Sequence, residues 1–353
     1  MKNTRELPAP RIEALDYLRG FFIAVIIIDH LWRWPNALQY LTGRGELWVS
    51  AAEGFVIISG LLVGYVHGFK KRKLPLGPLA ATLIRRGIML YVWMWITTLA
   101  LVAVTWNFSP KGGMAYIPVR EGDWSALFDL MRTFDYAHSL THFLFLYAIY
   151  LVISPIAIWL LRRGGWWVVL LVSGLFYMIG LQRNIEWLQW LVLFFGAAAF
   201  GYYFDAAMRH FRRLHDETKH AIRVLAIVGM VSTFVISMSI VFSHEPGLYT
   251  DPVFTRRPLS PATIPLAALW FLGLLSLFTY ITPLLKRYAV WLLTLGQRSL
   301  TAYILHTVPL VLIQFFIAPT TGDFWLNTCL AVLSVTATWA LLKIPHINKV
   351  IPR

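Results

Sequence analysis

Between Ile222 and Val241 the chain runs for roughly the thickness of a bilayer with Arg223 as its one charged residue, and similar stretches recur at Phe21 to Asp29, Leu90 to Val104 and Val168 to Leu181. A helix needs about 20 apolar residues to cross about 30 Å of hydrocarbon. Lipid offers no hydrogen bonds, so a spanning backbone must satisfy its own. Unbroken apolar runs do not fit a closed β-barrel, whose strands alternate apolar and polar residues. Nor do they fit a water-soluble core: 58% of the 353 residues are apolar and 14% charged, where a soluble domain carries about 25% charge. The expected fold class is all-α: a polytopic membrane helical bundle of about ten transmembrane helices, forming a single integral membrane domain over residues 1–353.

With Pro, Gly and charge clusters as boundaries, spans are expected near 14–34, 47–69, 82–105, 138–161, 165–181, 186–205, 222–243, 262–282, 298–318 and 323–342. The short apolar stretch Arg287 to Leu295 is expected to lie along the inner interface before Gly296 turns the chain into the ninth span. Trp106 to Ala137, with Gly112, Gly113, Asp123, Asp129 and Asp135, reads as a long outer loop, and His244 to Pro261 as a second. No signal-peptide cleavage site follows the first apolar stretch, so that helix is expected to stay as an anchor. The lone cysteine, Cys329, cannot form an internal disulfide.

A net charge of +14 would point to nucleic acid in a soluble chain, but here the placement of the charges matters more than their sum. With the N-terminus inside, 22 of the 31 Lys and Arg fall in inner segments: Lys2 to Arg11, Lys70 to Arg86, Arg162 and Arg163, Arg209 to Arg223, Lys286 to Arg298, and Lys343 to Arg353. Arg19 lies inside the first helix, and the other eight are in outer loops. Positive-inside asymmetry therefore predicts an N-in, C-in protein with no nucleic-acid partner.

An ionisable group within a span costs at least ~2.5–3.5 kcal/mol and needs a partner or a role. The first helix carries several. Asp16 and Arg19 can pair at helical spacing, which alone would be a structural salt bridge. Arg19 and His30 are eleven residues apart, so they share an azimuth about 16 Å apart in depth. A guanidinium suits phosphate or carboxylate, and a neutral imidazole can take a proton from a hydroxyl. Asp29 points about 100° away from His30, which argues against a direct dyad.

Other candidates carry competing readings. Glu53, in the second helix, is either a neutral structural residue or a group that orients a histidine or contacts an acceptor. Gly60 and Gly64 fit helix contact. Arg85-Arg86 is either positive-inside anchoring or a basic floor for a phosphorylated donor, a reading that extends to Arg298 beside Ser299. His306 follows Ser299 and Tyr303 at helical spacing and is either a core hydrogen-bonding residue or part of a site. His138 and His142 lack the glutamate and third ligand of a zinc site, so no metal is expected. Trp32, Trp34 and Trp48 are interfacial anchors or platforms for a sugar.

Taken together, these residues resemble the membrane acyltransferase-3 superfamily, and within it the OpgC-like succinyltransferases of osmoregulated periplasmic glucans. The family's arginine, ten residues and histidine match Arg19 and His30. Its second-helix element is similar to Ala52-Glu53-Gly54-Phe55-Val56 through Ser59-Gly60, and its arginine element to Arg85-Arg86, although the Arg-x-x-Arg spacing of many members is absent. Leu144 to Tyr147 with Pro155, Trp190 with Phe195-Gly196, and Gly296 to Ser299 with Tyr303 and His306 extend the resemblance along nearly the whole chain.

The resemblance implies transfer of an acetyl or succinyl group from cytoplasmic acyl-CoA, a co-substrate and not a permanently bound cofactor. The acceptor would be a hydroxyl of an extracytoplasmic polysaccharide or glycolipid, and the setting the bacterial inner membrane. His30, Glu53 and Arg19 would carry the chemistry. Arg85, Arg86, Ser59, Gly60 and Arg298 would meet the donor, and Asp29, Trp32, His142, Tyr147 and His306 the acceptor. A proton-coupled secondary transporter is the alternative, since it too uses intramembrane Arg, His and Glu, but no two-fold hydropathy repeat is visible. A non-catalytic scaffold ranks last. Homo-oligomers stay open, because lipid-facing and partner-facing apolar surfaces share a composition.

Overall fold

The computed structural model describes residues 13–108, 116–247, 251, 253–255, 257–318 and 322–345. The terminal residues that bear on inward-facing ends, together with Gly112 and Gly113, lie outside that set. Of the protein's described residues 79% are helical and none lies in a strand. Its principal elements are α1 (Glu13–Leu31), α2 (Ala51–Leu62, continued by a π-helical Val63–Lys70), α3 (Leu76–Phe108), α4 (Trp124–Arg132), α5 (His142–Arg162), α6 (Trp166–Arg183) and α7 (Glu186–Tyr202). After these come α8 (Phe204–Arg213), α9 (Asp216–Phe242), α10 (Thr263–Tyr288), α11 (Val290–Gln297), α12 (Ser299–Leu305), α13 (Thr307–Phe316) and α14 (Phe324–Leu341).

Eight helical stretches among the described residues are long and apolar enough to cross a membrane, and nine if α7 and α8, bent by 60°, count as one broken span. The set differs from the expected ten at α1. That helix has 19 residues, but Glu13, Asp16, Arg19 and Asp29 make it too charged to qualify on composition. Its setting accounts for the difference: α1 packs against α2, α10, α11, α12 and α14, and most of its side chains are buried by protein. A helix sheathed by other helices need not satisfy lipid.

Two amphipathic helices occupy stretches expected as loops. In the stretch expected as an outer loop, α4 starts at Asp123, whose carboxylate accepts the Ala126 amide at 3.0 Å, and buries Leu127 and Met131. After α7, α8 buries Phe204 and ends in Arg212 and Arg213. At 9 and 10 residues, each is too short to span on its own. The stretch expected along the inner interface is also different: α11 docks on α1 with Leu292 and Leu295 buried.

That docking is backbone on backbone. A Cβ on Gly20 would stand 2.0 Å from the Leu292 carbonyl oxygen, and one on Gly296 only 1.7 Å from that of Asp16. Gly60 and Gly64 do the same for α2 on α7, with Phe194 and Ala198 carbonyl oxygens at 2.0 and 1.9 Å from the added carbon. Small residues replace the hydrophobic drive that lipid removes.

The segments rich in Lys and Arg gather at one end. Lys286 pairs with Glu13 at the start of α1, and Arg162 donates to the carbonyls of Leu74 and Lys71, both at 2.8 Å. At the other end the connections interlock. Arg44, buried, donates to the Val241 carbonyl at 2.5 Å, Arg33 to those of Ala318 and Ile317, and the Trp48 indole to Asp251 at 2.8 Å.

Gly296→Ala is expected to abolish the folded, monodisperse species in fluorescence-detected size exclusion. Gly174→Ala, at a helical glycine with nothing within 4 Å, is expected to leave it intact. Equal recovery of the two would contradict the α1–α11 contact.

Candidate active site

Because α1 and the α11–α13 segment run the same way from the Gly20–Gly296 contact, two polar pairs form between them. Nearer the basic end, Arg19 Nη2 donates to Ser299 Oγ at 2.5 Å. The guanidinium sits 6.0 Å from the Phe55 ring centroid, and Asp16, Tyr147 and Arg86 are close enough to act on its charge. Nearer the other end, His30 Nδ1 lies 2.9 Å from His306 Nε2. The shared face inferred from the eleven-residue spacing is therefore the face that meets α12 and α13.

The two histidines differ in access. His30 is partly exposed, whereas His306 is fully buried and its Nδ1 meets the Tyr303 carbonyl. The Tyr303 hydroxyl in turn accepts the Phe143 amide at 3.3 Å, which ties this segment to α5. His306 thus stands behind His30, away from the open side.

A second charged group lies close by. His142 Nε2 is 3.1 Å from Glu186 Oε2, and Glu186 Oε1 is 3.1 Å from Arg257 Nε. His138 and Arg257 are close enough to act electrostatically on His30. Sequence reasoning placed His142 but passed over Glu186 and Arg257. Glu186 reads as the polar start of a helix and Arg257 as one of several loop cations, and 71 residues separate them.

The remaining candidates take varied positions. Glu53 is fully buried but turns back on its own helix: Oε2 accepts the Ser50 amide at 2.9 Å and the Ser50 hydroxyl at 2.5 Å, closing a capping box. It does not reach His30. Ser59 is buried in α2, and Gly60 serves the α7 contact. Arg86 is half-buried toward the bundle, while Arg85 is exposed. Arg298 donates to the Leu342 carbonyl at 2.6 Å and so holds the end of α14. Tyr147 stacks with Phe143. Asp29 is partly buried, and Trp32 is 58% exposed near the His30 end of α1. Trp48 stacks on Phe254.

A family model described as OpgC protein matches residues 11–347, a range that takes in both polar pairs. The chain belongs to the OpgC family. No curated protein and no solved structure matches it. Membership in the OpgC family points to a glucan-modifying acyltransferase, and the apolar helices fit a membrane enzyme of that class. Within this OpgC-family chain, the match covers Arg19, Ser299, His30 and His306 alike.

Ser299→Ala deletes a buried acceptor for a charged donor, a loss of ~1.5–3 kcal/mol. It is expected to lower the unfolding midpoint of the purified protein while Ser299→Thr retains it. An unchanged midpoint in the alanine variant would mean that the Arg19 bond does not hold the two helices.

Proposed function

We propose that this protein transfers an acetyl or succinyl group from acyl-CoA, supplied at the basic end of the bundle, to a hydroxyl of a glucan or related glycan at the other end. The observation that carries the reading is the order along α1: a permanent cation, Arg19, and then a partly exposed imidazole, His30, on one face of a helix enclosed by the bundle. Family membership favours the transferase over the transporter.

Arg86 and Arg19, with Arg85 at the surface, form the cationic approach for the anionic donor. His30 takes the proton of the acceptor hydroxyl, whose oxygen attacks the thioester carbonyl. Collapse of the tetrahedral adduct breaks the C–S bond, and the departing thiolate takes the proton back from His30. The Arg19 guanidinium, about 16 Å below His30 along α1, serves the donor, and Tyr147 lines the acceptor side. His142, Asp29 and Trp32 belong to the acceptor side. Glu53 and Gly60 serve by holding α2 in shape, and Arg298 by holding α14. The reaction calls on acyl-CoA as a consumed co-substrate, and its setting is the cytoplasmic membrane of a bacterium.

Purified protein given succinyl- or acetyl-CoA with an oligoglucan is expected to release free CoA thiol in an acceptor-dependent way. General-base catalysis is worth about 10²–10⁴-fold, and His30→Ala should lose a factor of that order. Thiol release that His30→Ala leaves unchanged would overturn the assignment.

A further inference from the structure

A neutral imidazole has one N–H and one bare nitrogen, so its partners decide which is which. His306 meets the backbone carbonyl of Tyr303 through Nδ1. A carbonyl can only accept, so Nδ1 carries the hydrogen and Nε2 is left bare. That bare Nε2 lies 2.9 Å from His30 Nδ1, so His30 Nδ1 must be the donor. The lone pair of His30 is then at Nε2.

Local structure supplies the carbonyl. The helix breaks at His306, between α12, which ends at Leu305, and α13, which begins at Thr307. At that break the Tyr303 carbonyl is available to the ring of His306. The Phe143 amide, bonded to the Tyr303 hydroxyl, anchors that residue from α5. Access points the same way, since His306 is fully buried and His30 is partly exposed. Among the described residues, the hydrogen bonds of the His30–His306 pair run to each other and to the Tyr303 carbonyl, while Glu53 bonds Ser50 and Glu186 pairs with His142 and Arg257.

We propose that His306 is the positioning residue of the site: held by the Tyr303 carbonyl, it fixes His30 as the Nδ1–H tautomer and leaves His30 Nε2 as the base presented to substrate. This rests on the reading of His30 as the base in acyl transfer. When Nε2 takes the proton of the acceptor hydroxyl, the Nδ1–H of the resulting imidazolium still points at the lone pair of His306. A neutral imidazole thus fills the orienting place that a carboxylate holds in a catalytic triad, without adding a buried anion next to an anionic donor.

The test has two arms on the full-length protein in nanodiscs. In the first, imidazole nitrogen-15 spectra are recorded without substrate, with the ring signals assigned by their loss in His30→Ala and His306→Ala. The expected spectrum shows a protonated Nδ1 and a bare Nε2 on His30, and loss of that single tautomer in His306→Ala. A His30 protonated at Nε2, or one tautomer unchanged in His306→Ala, would overturn the proposal. In the second arm, succinyl-CoA and acetyl-CoA turnover is followed. His306→Ala is expected to lower kcat ~100-fold with KM little changed. His306→Gln, whose amide oxygen can accept from His30 Nδ1, should recover most of it. If glutamine recovers no more than alanine while both variants remain folded, the positioning role fails. If the tautomer is as expected but His30→Ala keeps full turnover, the base assignment fails instead.

Discussion

Two glycines set how the bundle is arranged around His30. Gly20 and Gly296 bring the backbones of α1 and α11 into direct contact, with no room for a β-carbon on either. From that fixed point the chain runs on through Arg298 and Ser299, and the same approach sets Arg19 on Ser299 and His30 on His306. Apolar packing in lipid has no hydrophobic effect to draw helices together, so a register this close depends on shape. The interlocked loops at the far end and the Arg162 and Lys286 contacts at the basic end then keep the surrounding helices from spreading.

Enclosure explains how α1 tolerates its charges. An arginine facing lipid would cost several kcal/mol, but Arg19 faces Ser299, Phe55 and the neighbourhood of Tyr147 and Asp16. Lipid contact falls instead to α6 and α9, whose exposed residues are large and apolar. Work is thus divided between a polar inner helix and a greasy outer ring. The same division lets a cationic group and an imidazole occupy different depths of one path.

Much of this was legible in the sequence, and what was missed shares a cause. Periodicity along a single helix showed that Arg19 and His30 share a face, because that needs only the helical rise and turn. Partners from distant parts of the chain were hidden: Ser299 and His306 stood out as a pair at helical spacing, but nothing local states which helix they meet. The contact of Gly20 with Gly296 was hidden for the same reason, since a small-residue contact can be read within one helix and not between segments 276 residues apart in register. Glu53 is a different case. Ser50-Ala51-Ala52-Glu53 is a capping-box pattern visible in the sequence, and it accounts for one oxygen of the buried carboxylate, Oε2, through the Ser50 amide and hydroxyl. The amphipathic α4 and α8 were missed because a search for spans weighs total apolarity and not its arrangement around the helix.

The proposed reaction is directional, with the donor arriving at the basic end and the acceptor at the end roofed by the interlocked loops. It is tested most directly in liposomes with the protein inserted in one known orientation, by adding succinyl-CoA or acetyl-CoA to one face and an oligoglucan to the other. The account predicts acylated glucan only when the thioester is on the face bearing Lys70 to Arg86. Equal product from either arrangement, or product only from the reverse one, would contradict it.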